Sequence, residues 1–114
     1  MSAKFVVSKA SNGKYLFVLK APNGETILAS QMYGQLASAR NGIESVKRNA
    51  LHTEMYERLT SSRGEPYFTL KARNGQIVGT SQMYASKRSR DSGVESVRAN
   101  ALRATVDDSA LAQG

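Results

Sequence analysis

The sequence predicts an α+β fold of two tandem β3-α-β units built around one shared core. Three observations predict it. Residues 30–50 (SQMYGQLASARNGIESVKRNA) return 51 positions later as residues 81–101 (SQMYASKRSRDSGVESVRANA), and a fixed-period echo marks a repeated supersecondary unit. Before each copy, short β-branched and aromatic runs break at Gly-containing turns, mostly Asn-Gly. Within each copy the apolar spacing shifts from two residues to the helical three and four. At 114 residues each half lies near the lower size at which a core is self-sufficient, so the halves are expected to share one.

The elements follow in order. Lys4–Lys9 (KFVVSK) stops at Ser11-Asn12-Gly13, residues 14–20 (KYLFVLK) stop at Pro22-Asn23-Gly24, and residues 25–29 (ETILA) form a third run. Asn-Gly between apolar runs signals a tight hairpin, because both residues tolerate positive φ. Gly24 and Gly75 are therefore expected to be structural. Alternation sets Phe17 and Leu19, with Phe68 and Leu70 in the second unit, toward the core. Leu16, Val18, Tyr67 and Thr69 take the other face.

Ala39, Ile43, Val46 and Ala50 form a helical stripe, repeated by Val94, Val97 and Ala101, with Arg90 in the place of Ala39. Ser86 is the better N-cap and its counterpart Gln35 the poorer one, so the second helix is expected over residues 86–100. Lys47 and Arg48 suit the C-terminal dipole, and Asn49 is expected to close the helix in the left-handed conformation. Arg40 and Glu44, four apart, form an expected surface pair. Gly42 and Gly93 cost about 1 kcal/mol each within a helix, and close approach of a neighbouring backbone, the partner helix or the sheet, is the expected reason. Residues 52–61 open the second unit and are expected to close the first as its post-helix strand. Residues 67–71 and 76–80 complete the second triplet, and residues 103–107 form a last strand. Repeat 1 is placed at about 4–54, repeat 2 at about 55–107 and a disordered tail at 108–114.

Residues 20–28 (KAPNGETIL) and 42–50 (GIESVKRNA), with residues 71–79 (KARNGQIVG) and 93–97 (GVESV), resemble the YegP-like family of small bacterial proteins. The similarity covers both units, from about residue 4 to 106, and is to the tandem-repeat members. It implies one antiparallel sheet with exchange of C-terminal strands, and two pseudo-twofold-related helices on one face. It implies no catalytic residue and no established function.

The composition bounds function. There are no cysteines, which excludes disulfides, thiolate zinc and a cysteine nucleophile. No apolar run approaches membrane-spanning length, so a cytoplasmic protein without a membrane partner is expected. The one histidine, His52, has Glu54 and Glu57 nearby, a two-ligand fragment at most; no metal and no cofactor are expected. Ser30 and Ser81 lack a nearby base and read as turn residues, and no phosphate-loop pattern appears. Catalytic residues are therefore none, and the chain is not expected to be an enzyme.

Net charge is +7. Residues 1–51 hold seven basic and two acidic side chains, residues 52–114 nine and seven. The expected function is a non-enzymatic binding or structural module with an unspecified partner. One alternative is weak nucleic-acid binding through a basic helix face of Lys87, Arg88, Arg90 and Arg98. The other is protein interaction through the open sheet face at Tyr67 or the loops bearing Met32, Tyr33, Met83 and Tyr84. The repeat supplies its own symmetry partner, so a monomer is expected.

Overall fold

The computed structural model describes residues 2–113. Strands β1 (Lys4–Lys9), β2 (Tyr15–Lys20) and β3 (Thr26–Ala29) precede helix α1 (Leu36–Asn49). Strands β4 (Tyr56–Thr60), β5 (Pro66–Lys71) and β6 (Ile77–Thr80) precede α2 (Lys87–Asn100), and β7 (Thr105–Asp107) follows. One seven-stranded sheet has the order β4-β5-β6-β3-β2-β1-β7. The halves meet at β3 and β6, where Ala29 pairs antiparallel with Thr80. The sheet is antiparallel from β4 through β1 and turns mixed at β7, which pairs parallel to β1. That last pair is the strand exchange: a repeat 2 strand completes the repeat 1 edge.

The turns form for the reason the sequence suggests. Gly24 and Gly75 sit at φ 89° and 86°, and the Asn before each accepts a hydrogen bond from the main-chain N–H two residues on, at 2.9 and 3.0 Å. Ser30 and Ser81 act as structural turn residues. Ser30 Oγ accepts from Phe17 N at 2.9 Å and donates to Gln31 O at 2.7 Å. Ser81 repeats this with Phe68 N and Gln82 O, at 3.0 and 2.8 Å. Pro66, in the place of Tyr15, has no N–H. The two main-chain bonds exchanged by Tyr15 and Tyr33, both 2.7 Å, therefore reduce to one from Tyr84 N to Pro66 O at 2.8 Å.

Both helices cover one face. α1 lies over β2 and reaches β5 and β6, while α2 lies over β5 and reaches β3. Phe5, Phe17, Leu19, Leu28, Ile43, Phe68, Leu70, Val94 and Val97 are fully buried between the layers. Ser86 Oγ caps α2 by accepting from Ser89 N at 3.1 Å, whereas Gln35 makes no side-chain cap.

Several expectations are corrected. Asn49 does not turn left-handed: the chain passes on through Ala50 at φ −60°, and Asn49 Nδ2 donates back to Ser45 O at 2.8 Å. Asn100 does the same to Ser96 O at 2.8 Å. Arg40 pairs with Asp108 at 3.1 Å instead of with Glu44. Residues 53–55 form a 3-10 turn leading straight into β4, which pairs only with β5. They lay no post-helix strand on repeat 1, because the connection is used up in reaching β4. Beyond β7, Ser109–Gln113 makes a short 3-10 helix, with Leu111 packed on the core.

Gly42 and Gly93 also answer to a different neighbour. A Cβ at Gly42 would strike the Tyr33 hydroxyl and come within 2.9 Å of its Cζ, and one at Gly93 would strike the Tyr84 hydroxyl and come within 2.7 Å of its Cζ. The glycines make room for the tyrosine of their own Gln-Met-Tyr loop, not for a second helix.

Tyr56 donates from its hydroxyl to Ala50 O at 2.7 Å, tying the end of α1 to the start of repeat 2. Burial pushes its ionisation well above the usual 10.0, with Arg98 opposing and Glu95 reinforcing. An acid that stays neutral when folded but ionises when unfolded contributes stability that is complete below pH 10 and is lost as pH rises toward the folded value. Melting temperature should therefore fall as pH rises above about 10, and Tyr56→Phe should flatten that fall while lowering stability at pH 7 by about 1 kcal/mol for the lost bond. An alkaline slope unchanged in Tyr56→Phe would contradict this.

Candidate functional site

The sequence-derived candidates separate once folded. On α2, Lys87 and Arg88 are exposed in the first turn. Arg90 is 7% exposed and donates from Nε to Asp91 Oδ1 at 3.2 Å. Asp91 also accepts from Arg58 Nε at 2.9 Å, and Arg58 and Arg90 together hold its carboxyl below the usual range. Arg98 Nη1 donates to both Glu95 oxygens, at 2.9 and 2.8 Å. Of the four cations expected on a basic face, Lys87 and Arg88 are thus without a carboxylate among the described residues, while Arg90 shares Asp91 with Arg58 and Arg98 is paired with Glu95.

The Gln-Met-Tyr loops divide by residue. Tyr33 stacks on Phe17 with ring centroids 6.2 Å apart, and Tyr84 on Phe68 at 6.4 Å. Both phenols are pushed up by burial. These tyrosines wedge the loop against the helix glycine, whereas Met32 and Met83 remain 48% and 44% exposed. Tyr67 lies half-buried on the open sheet face, where Lys71 is engaged by Glu57 at 3.2 Å. His52 and Glu54 come together at 3.7 Å, and among the described residues no three potential metal ligands converge.

The feature the sequence reading missed is a cationic cleft between the repeats. Ser45, Arg48, Asn49 and His52 at the end of α1 face Ala72, Arg73 and Asn74 of the β5–β6 turn across about 530 Å³. Asn49, 5% exposed, is fixed by its bonds to Ser45. The turn is fixed by Ala72 N donating to Gln76 O and Gly75 N to Ala72 O, both 2.9 Å. Arg48 and Arg73 are exposed, and no carboxylate pairs with either among the described residues. Two arginines lining one cleft suit a phosphate or carboxylate, which a guanidinium can grip bidentately.

The pseudo-twofold provides an internal comparison. The counterpart cleft, about 430 Å³, lies between α2 and the β2–β3 turn and is lined in part by Ala21, Asn23 and Ser96. Those three match Ala72, Asn74 and Ser45, and Asn100 repeats the bond of Asn49. The scaffold is therefore common to both halves. The charges are not: Arg48 and Arg73 correspond to Ala99 and Pro22, His52 to Arg103, and Glu25 lines the second cleft. No local pattern reveals this site, since its two arginines come to line one cleft only through packing between repeats. The available signal was the divergence at those two positions between otherwise matching neighbours.

Comparison with known proteins accords with this architecture. A family profile described as a domain of unknown function (DUF1508) matches twice, over residues 10–57 and 61–108. A UPF0339 protein of Acinetobacter baylyi is 54% identical over 108 residues, covering 95% of this chain and 97% of that protein. YegP of Escherichia coli K12 is 51% identical, covering 95% and 98%. The solution structure of E. coli yegP, described as a protein of unknown function, superposes with TM-score 0.90 at 51% identity over 95% of this chain and 93% of that one. That of a Shewanella oneidensis UPF0339 protein gives 0.89 at 47% identity over 95% and 92%. None of these names assigns an activity. With a doubled profile match, half its residues shared with YegP across nearly the full length, and the same seven-stranded frame, the chain belongs to the DUF1508 family, as a tandem-repeat YegP-like member.

Proposed function

We propose that this protein is a non-enzymatic binding module that holds a phosphate-bearing ligand in the Arg48–Arg73 cleft. The observation supporting this reading is one-sidedness: two clefts share a scaffold, and one carries two exposed arginines without carboxylate partners among the described residues. A merely solvating charge excess would not need to gather there. A monomeric, cytoplasmic protein is part of the same proposal.

Amide-shift mapping with inorganic pyrophosphate and with a short single-stranded RNA tests it. Shifts should gather on Ser45, Arg48, His52, Arg73 and Asn74 and weaken between about 50 and 200 mM salt. The double variant Arg48→Ala/Arg73→Ala should lose about tenfold or more in affinity, as expected for charge-assisted bonds. Shifts confined to Lys87 and Arg88 would transfer binding to the α2 start, and shifts centred on Tyr67 would transfer it to the sheet face; either would sink the cleft.

A further inference from the structure

The two edges of the sheet are finished differently. At one edge β7 runs parallel to β1, with Thr105, Val106 and Asp107 opposite Lys4, Phe5 and Val6. Thr105 N donates to Ala3 O at 3.3 Å, and Lys4 Nζ lies 3.4 Å from Asp107 Oδ2. Val106 sits beside α1 in a cleft of about 200 Å³ shared with Arg40, Asn41, Ile43 and Glu44. At the other edge β4 has β5 alone for a neighbour. The corresponding place beside α2 is an open cleft of about 540 Å³, lined by Arg88, Asp91, Ser92 and Glu95. Asp91, Ser92 and Glu95 are the repeat counterparts of Arg40, Asn41 and Glu44.

The main chain of this edge is free to pair at Arg58, whereas the N–H of Tyr56 is taken by Thr53 O. Phe68 spends its N–H and C=O on Ser81, so the ladder between β4 and β5 runs through Glu57 and Leu59, and the N–H and C=O of Arg58 point away from β5. Unpaired edge groups of this kind are a template for another strand.

We propose that the β4 edge is a strand-acceptor site for an extended acidic segment of a partner protein, which runs parallel to β4 as β7 runs parallel to β1 but pairs through the Arg58 main chain, two residues further along than the counterpart of the β1–β7 register, and sets a carboxylate against Arg88. Charge selects the occupant. In the wall of the cleft Asp91 is held by Arg58 and Arg90, and Glu95 by Arg98, while Arg88 has no carboxylate partner among the described residues. A second copy of this chain is disfavoured. Antiparallel self-pairing over the whole of β4 has its twofold axis at the middle residue and sets Arg58 against Arg58, and because Asp91 is shared between Arg58 and Arg90, each copy brings one uncompensated positive charge to that axis. Main-chain bonds then supply affinity and Arg88 supplies selectivity, the general division of labour when a peptide adds to a sheet edge.

The test titrates the labelled protein with a capped peptide of residues 101–110 carrying Val106→Glu, beside versions carrying Val106→Lys and the natural Val. At about 1 mM peptide, a range suited to weak strand addition, shifts should fall on Tyr56–Thr60 and Arg88, with slowed hydrogen exchange at the Arg58 amide. The Glu peptide should bind about tenfold more tightly than the Lys peptide, and Arg88→Glu should invert the order. Arg88 is exposed at the helix surface, so that variant leaves the fold intact. Shifts confined to Lys4–Lys9, meaning displacement of β7, would overturn the proposal, as would peptide selectivity unchanged in Arg88→Glu. Protection of the Arg58 amide that grows with protein concentration alone would assign the edge to a second copy and likewise overturn it.

Discussion

Gly79→Leu is expected to destabilise the protein by about 3 kcal/mol or more, and the exchange Leu28→Gly/Gly79→Leu to recover at least half of that loss. Positions 28 and 79 are repeat counterparts, and they meet where the halves join. A Cβ on Gly79 would lie 2.6 Å from Cγ and Cδ2 of Leu28, which is itself fully buried. The seam holds one branched side chain, so the two halves differ there by necessity. Overpacking a close-packed core costs about 1–3 kcal/mol, sometimes more, and emptying a leucine site about 2–5 kcal/mol. If the two residues compete for one space, the losses cannot add. Urea unfolding of the two single variants and the exchange measures this. Simple addition of the two losses would show that the positions do not share the seam.

Gly93→Ala is expected to cost about 1–3 kcal/mol as overpacking against Tyr84, yet to be neutral or stabilising by up to about 1 kcal/mol in a Tyr84→Ala background, where helix propensity outweighs the one close neighbour left, Phe68 Cε2 at 3.2 Å, which can shift into the space of the lost ring. The cause is the Tyr84 ring, stacked on Phe68 with an interplanar angle of 14° and pressed against the helix. For a chain of this size 1 kcal/mol corresponds to a few degrees in melting temperature, so a four-member thermal cycle resolves the change of sign. The same cycle at Gly42 and Tyr33 should agree in sign. Equal losses in both backgrounds would remove the tyrosine wedge as the reason for glycine.

Local rules carried most of the architecture. The Asn-Gly turns, the inward side of Phe17, Leu19, Phe68 and Leu70, and the cap at Ser86 each depend on a few neighbouring residues, and each is found in the fold. What escaped the sequence depends on distant partners. Arg90 and Arg98 read as free cations because Asp91 and Glu95, one and three residues away, show their engagement only when Arg58 arrives from β4 and the helix surface is set. The glycine pair read as close approach of a backbone, of the partner helix or of the sheet, because nothing local says that the Gln-Met-Tyr loop folds back beneath its own helix. The direction of β7 depends on where α2 ends. The Arg48–Arg73 cleft needs α1 of one repeat to reach the β5–β6 turn of the other.

Duplication thus appears in two roles. It provides the core, with each helix reaching strands of both halves. It also provides two copies of a helix-end cleft, of which one is free to change charge without disturbing the scaffold residues Ser45, Asn49, Ala72 and Asn74. The +7 charge is then not an even coat. Among the described residues six of the sixteen Lys and Arg side chains (Lys4, Arg40, Arg58, Lys71, Arg90 and Arg98) are held by carboxylates, and the pair in the cleft is not among them.

The most direct measurement is the stoichiometry of pyrophosphate binding by titration calorimetry, for the natural chain and for Arg48→Ala/Arg73→Ala. The account predicts one site per chain in the first and at least about tenfold weaker binding in the second. Two equal sites, or affinity unchanged by the double substitution, would contradict it.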